Sequence, residues 1–153
     1  MSPKRATPTG APQPSPHGPC LPAGATIFLV DDDEAVRDSL VLSLRAAGHP
    51  VTAFRSARQF LDNYRHGDAG CVVVDMDLPE GGAIGLLRAL ALAEIVLPAI
   101  ITTRRLWRDS RAGLPSGRIL FLDKPFGVDE LLRLIGTVLD DGSGHEPVIL
   151  LPE

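Results

Sequence analysis

A chain of 153 residues, 44% hydrophobic and 22% charged with a formal net charge of −4, has the size and composition of one ordinary domain, which argues against a second large one. Its net acidity argues against a general nucleic-acid binder. Seven of the 14 prolines fall within the first 22 residues, ahead of any sustained apolar pattern, so residues 1–24 are expected to form a disordered proline-rich arm. Residues 25–140 then make up the folded domain and 141–153 a tail.

From Thr26 the chain alternates short apolar runs with longer stretches of helical period. TIFLV reads as a strand buried on both faces, because its β-branched and aromatic residues show no polar alternation. Val36, Leu40, Leu44 and Ala47 then recur at helical spacing, with Gly48 as a stop. VTAF is a second strand, and Ser56 followed by Gln59 has the form of a capping box opening a helix that carries Phe60, Leu61 and Tyr64 and ends at Gly67. Cys71–Asp75 is a third strand, and beyond the loop LPEGG a third helix places Ile84, Leu87, Leu90 and Ala91 on its apolar side.

Pro98 introduces a fourth strand, AIITT, and ILFL from Ile119 is a fifth. The last helix starts near Asp129 and buries Leu131, Leu132, Ile135, Val138 and Leu139. Between the last two strands, Gly113 and Pro115 interrupt the fourth helical segment, which is expected to be short or irregular. Five strands separated by helices imply an α/β fold with a parallel sheet and right-handed crossovers.

Two cysteines, Cys20 and Cys71, make neither a disulfide framework nor a metal spacing, as in a reduced intracellular protein. MSPKRATPTG carries charge without a following apolar run, so it is not a secretory signal. The longest apolar stretch, Ala89 to Thr103, is broken by Glu94 and Pro98 and is too short to span a bilayer. The expectation is a soluble, cytoplasmic protein with no membrane partner.

Every strand that matters to chemistry ends in polar residues: Asp31-Asp32-Asp33, Asp75, Thr102-Thr103, and Asp123-Lys124-Pro125. In a parallel sheet these carboxyl ends form the ligand-binding edge, so the residues converge although they are far apart in sequence. Asp33 and Asp129 also suit helix N-caps. Neighbouring carboxylates repel, and the usual remedies are a divalent cation or a protonated partner, the oxygen-only ligands pointing to a hard ion such as Mg²⁺. Carboxylates, a hydroxyl, an ammonium and Mg²⁺ on one edge make a phosphoryl site in which one Asp can act as nucleophile. The ammonium stands out, because Lys4 and Lys124 are the two lysines of the whole chain.

The blocks FLVDDDEAVRDSL, VVVDMDLP, the apolar run into Thr103, and FLDKPF resemble the signature blocks of the response-regulator receiver domain of two-component signalling, over about Thr26 to Asp140. The resemblance implies a flavodoxin-like, doubly wound, five-stranded parallel sheet of (βα)5 type. It implies Asp75 as phosphoacceptor, and Asp31 and Asp32 as Mg²⁺ ligands together with Asp75 and the backbone carbonyl of Asp77. It further implies Thr103 as switch hydroxyl, Lys124 as the ammonium paired to the acyl phosphate ahead of a cis Pro125, and Phe121 as the aromatic switch residue. Counting five residues on from Pro98 favours Thr103 over Thr102, whereas counting back from Lys124 favours Thr102, and both stay open.

Two departures from the family pattern bear on chemistry. Arg104 stands where similar sequences have a small residue, so it is a candidate modulator of adduct lifetime, and Asp77 adds a carboxylate beside the site. Ala83 replaces a commonly found Gly. The resemblance implies a phosphoacceptor rather than an enzyme, whose only catalysis is its own phosphotransfer and dephosphorylation, and the few residues after Asp140 lead to the expectation that it stands alone, without an output domain. A sensor histidine kinase or phosphotransfer protein is the expected donor. Output is expected through protein contact or phosphorelay at the face formed by the segment around Arg104–Arg118, the fifth strand and the last helix, with no direct DNA binding. That segment holds five arginines against Asp109 alone. A monomer or weak dimer is the expected state. A non-phosphorylated pseudo-receiver and an aspartate-nucleophile phosphatase, whose first motif VVVDMDLP also resembles, are the alternatives.

Overall fold

The computed structural model describes residues 24–104, 114–115 and 117–139. The proline-rich arm, the tail and nearly all of the irregular fourth helical segment lie outside the described residues. The five apolar runs become β1 (Thr26–Val30), β2 (Val51–Phe54), β3 (Gly70–Asp75), β4 (Ala99–Thr103) and β5 (Ile119–Asp123). They pair in parallel in the order β2-β1-β3-β4-β5. All six residues of β3 are buried, which is why its sequence shows no polar alternation.

The helices among the described residues are α1 (Glu34–Ala46), α2 (Ala57–Asn63), α3 (Gly82–Leu92) and α4 (Val128–Leu139). Two cores result, one on each side of the sheet. On one side Ile27, Leu29, Cys71, Val73, Ile100, Leu120 and Leu122 meet Leu44 of α1 and Leu131, Leu132, Ile135 and Val138 of α4. On the other, Phe28, Val30, Val72, Val74, Ile101 and Phe121 meet Phe60 of α2 and Ala83, Leu86, Leu87 and Leu90 of α3. That second core has an aromatic corner, with Phe60 5.6 Å from Phe28 and 5.3 Å from Phe54 between ring centroids. The arrangement is the doubly wound fold expected from the alternation of elements.

Local chemistry explains the element ends. Asp33 caps α1 by accepting from the Val36 N–H at 3.2 Å. Ser56 accepts from Gln59 N–H at 3.0 Å, but the return bond of the capping box goes to Arg55 N–H (2.8 Å) rather than to Ser56. Three expectations need correction. α2 stops at Asn63, before Gly67, because Tyr64 turns into extended backbone to pack its ring against Phe28 and to donate its hydroxyl hydrogen to the Asp68 carbonyl. The buried stripe of α3 is Ala83, Leu86, Leu87 and Leu90, while Ile84 is half-buried and Ala91 exposed. Asp129 lies within the first turn of α4, where it complements the helix dipole.

Candidate functional site

Parallel register brings the polar residues to one edge. Val30 pairs with Val74, so Asp31 and Asp75 follow at the same level on adjacent strands. The pleat assigns sides: Leu29 and Val73 belong to the α1/α4 core, and Asp31 and Asp75 are two residues further along the same side. Leu122 puts Lys124 on that side too. Asp31, Asp32 and Asp75 each offer an oxygen within 4.8 Å of the others. Lys124 Nζ lies 3.4 Å from Asp75 Oδ2 and 3.8 Å from Asp31 Oδ2. The remaining oxygens are held by the backbone, since Asp31 Oδ1 accepts from Asp33 N–H (2.9 Å) and Asp75 Oδ1 from Asp77 N–H (3.2 Å).

Burial pushes the Asp31 carboxyl above its ordinary pKa, and the Asp75 and Asp32 charges push the same way. The Asp33 N–H and Lys124 oppose the shift. Three carboxylates against one ammonium leave two negative charges uncompensated in a partly dry site when all are ionised. An oxygen-only donor set with that surplus fits a hard divalent cation.

The loop after β3 turns tightly into α3. Glu80, Gly81 and Gly82 take left-handed backbone (φ 65°, 98° and 65°), and a Cβ on Gly82 would collide with the Met76 carbonyl. Position 83 is already helical, which is why an alanine is accepted there.

The sequence profile of the response regulator receiver domain matches residues 27–136. The chain belongs to this family. Among relatives of this receiver domain, the transcriptional regulatory protein FixJ of Bradyrhizobium diazoefficiens is 35% identical over 116 residues, covering 74% of this chain and 56% of FixJ. The response regulator MprA of Mycolicibacterium vanbaalenii is 36% identical over 125 residues, covering 78% and 54%. The chain spans about half the length of these curated relatives. Among solved structures, the response regulator StyR superposes with a TM-score of 0.65 at 35% identity, over 76% of this chain and 60% of that one. The chemotaxis protein CheY4 of Vibrio cholerae superposes at 0.66 with 21% identity over 76% and 100%, a likeness of fold.

Within the receiver domain the two threonines take different sides of the sheet. Thr102 pairs with Asp75 in register and follows Ile100 on the α1/α4 side. Thr103 follows Ile101 on the side of Phe121, and its carbonyl accepts from Lys124 N–H at 2.7 Å. Both are buried. The Lys124–Pro125 peptide is cis, as the resemblance implies.

Arg104 is exposed and lines a groove of about 720 Å³ with Ala35, Val36 and Leu40 of α1 and with Lys124 and Phe126. One participant escapes the motif reading: Arg37 Nη1 donates to the Asp31 carbonyl at 2.9 Å. Its signal was a cation in the first turn of a helix, where the dipole prefers anions. Among the described residues no helix is long and apolar enough to cross a membrane.

Proposed function

We propose that this chain is a phosphoacceptor that takes a phosphoryl group onto Asp75 from a phosphohistidine of a sensor kinase or phosphotransfer protein. The observation that carries the reading is the buried Asp75 carboxylate with Lys124 at 3.4 Å and two further aspartates beside it, on the open edge of a parallel sheet. In the transfer an Asp75 oxygen forms the new P–O bond as the P–N bond to the donor imidazole breaks, and the nitrogen keeps the electron pair. Lys124 compensates the charge gathered on the phosphoryl oxygens, and Asp77 N–H holds the other carboxylate oxygen in place.

The donor set fits Mg²⁺: the carboxylates of Asp31, Asp32 and Asp75 would hold it together with the Asp77 backbone carbonyl, and the ion would neutralise charge on the phosphoryl oxygens. Thr103 is the better candidate for the switch hydroxyl, because it stands at the strand tip on the side of Phe121, so its movement toward the site is felt by that ring. The message then leaves through the surface around β5 and α4. Arg104, at the mouth of the groove beside Lys124, tunes the lifetime of the adduct. Cytoplasmic placement follows from the kinase as donor.

Incubation with acetyl phosphate and Mg²⁺ followed by intact mass tests the reading. An adduct of about 80 Da, one phosphoryl group, is expected in the natural chain and absent in Asp75→Ala. No adduct under any condition overturns the reading in favour of a pseudo-receiver. A time course on Arg104→Ala is expected to show altered decay, and unchanged loading and decay would remove Arg104 from the account.

A further inference from the structure

We propose that Arg37 is a positioning residue that presents Asp31 to the cation, an assignment that rests on the phosphoacceptor reading of the acid cluster. Asp31 sits just past the end of β1 and is 2% exposed, so its orientation depends on what holds its main chain. Its N–H donates to the Phe54 carbonyl of β2 at 3.1 Å, and its carbonyl accepts from Arg37 Nη1 at 2.9 Å. Its Oδ1 is taken by Asp33 N–H at 2.9 Å. These three bonds leave Oδ2 directed toward Lys124 and Asp75.

The placement of Arg37 runs against local electrostatics. It occupies the fourth position of α1, where the helix dipole favours negative charge, and a guanidinium near a cation site repels the cation. A half-buried arginine in that place is explained by what it grips. A charged donor to a main-chain oxygen makes a strong bond, and the planar guanidinium is pre-organised for it. Glu34, Ala35 and Val36 lie between Asp33 and Arg37, so one turn of helix carries the guanidinium back over the loop Asp31–Asp33.

The two effects of Arg37 have opposite signs, which makes the inference decidable. If Arg37 acted through space alone, removing its charge would tighten Mg²⁺ binding. If it orients Asp31, removing it weakens binding despite the lost repulsion. The test is calorimetric titration of Mg²⁺ alone into the full chain, with no phosphodonor, for the natural protein, Arg37→Met, Arg37→Gln and Arg37→Lys. Glutamine is two bonds shorter than arginine and easily tolerated at a half-exposed helix position, so it keeps the experiment readable if the methionine variant fails to fold.

Both neutral variants are expected to bind Mg²⁺ about tenfold more weakly, the lower end of what outer partners of a metal ligand contribute. Arg37→Lys, whose ammonium can reach a main-chain oxygen, is expected to recover at least half of that loss on a logarithmic scale. Equal or tighter binding by a folded neutral variant overturns the inference, as does a lysine variant no better than methionine. A natural chain that binds no Mg²⁺ overturns the phosphoacceptor reading itself, a result distinct from either.

Discussion

The two sides of the sheet are built from different materials and answer to different demands. The α2/α3 side holds Phe28, Phe54, Phe60 and Phe121, and among the described residues its buried groups are apolar apart from Thr103. The α1/α4 side is aliphatic, and its strands run out into Asp31, Asp75, Thr102 and Lys124. One side is therefore an almost wholly apolar core, while the other ends in buried charge. The two sides are joined by the peptide between Thr102 and Thr103 and by the bond from Lys124 N–H to the Thr103 carbonyl.

The largest effect should come from cutting each core separately. Phe60→Ala is expected to cost about 3–5 kcal/mol of unfolding free energy and Leu122→Ala about 2–5 kcal/mol, measured by urea denaturation. Their consequences for the site should diverge. Leu122 precedes Lys124 by two residues on the same side, so only its truncation should weaken Mg²⁺ binding by the folded protein. Equal losses of Mg²⁺ affinity would erase the distinction between the sides.

A smaller effect of opposite sign is expected at Asp31. Burial and two like charges oppose its ionised form, so Asp31→Asn should raise the stability of the cation-free protein at neutral pH by roughly 0.5–2 kcal/mol. Thermal melts with saturating Mg²⁺ should reverse the order, because binding stabilises the natural chain alone. A lower melting temperature for the variant without Mg²⁺ would show that the α1/α4 side does not harbour a destabilising charge.

The smallest effect concerns His49, in the connection from α1 to β2. Burial lowers its pKa below 6.5, so folding favours the neutral ring. The contribution is fully present above pH 6.5 and is lost as the pH falls from there through the folded-state value. His49→Gln should flatten the acid limb of the stability profile slightly, since solvent screens a ring this exposed. An unchanged slope below pH 6.5 would remove His49 as a source of pH dependence.

Much of this plan was legible in the residues because both strand signals and site signals are local. A run such as CVVVD declares burial by its β-branched content and chemistry by its last residue. The side chosen by each threonine was not legible, since it depends on counting pleats from a register that only the paired strands define. The stripe of α3 escaped for a related reason. Eleven residues that include five leucines and isoleucines leave several helical faces apolar, and packing against α2 and β3 selects one. Arg37 was hidden because its partner is a main-chain oxygen, which has no letter in a sequence.

Lys124 has a consequence outside signalling. It is one of two lysines in the chain, and its side chain retains 15% exposure between Asp31 and Asp75. Amine-directed reagents therefore address the folded domain at a single position. Acylation there would abolish the one cation between two buried carboxylates, leaving them to repel across the sheet edge, whereas amidination would add bulk and preserve the charge. Comparing the two products separates the electrostatic contribution of this nitrogen from its shape without altering a codon.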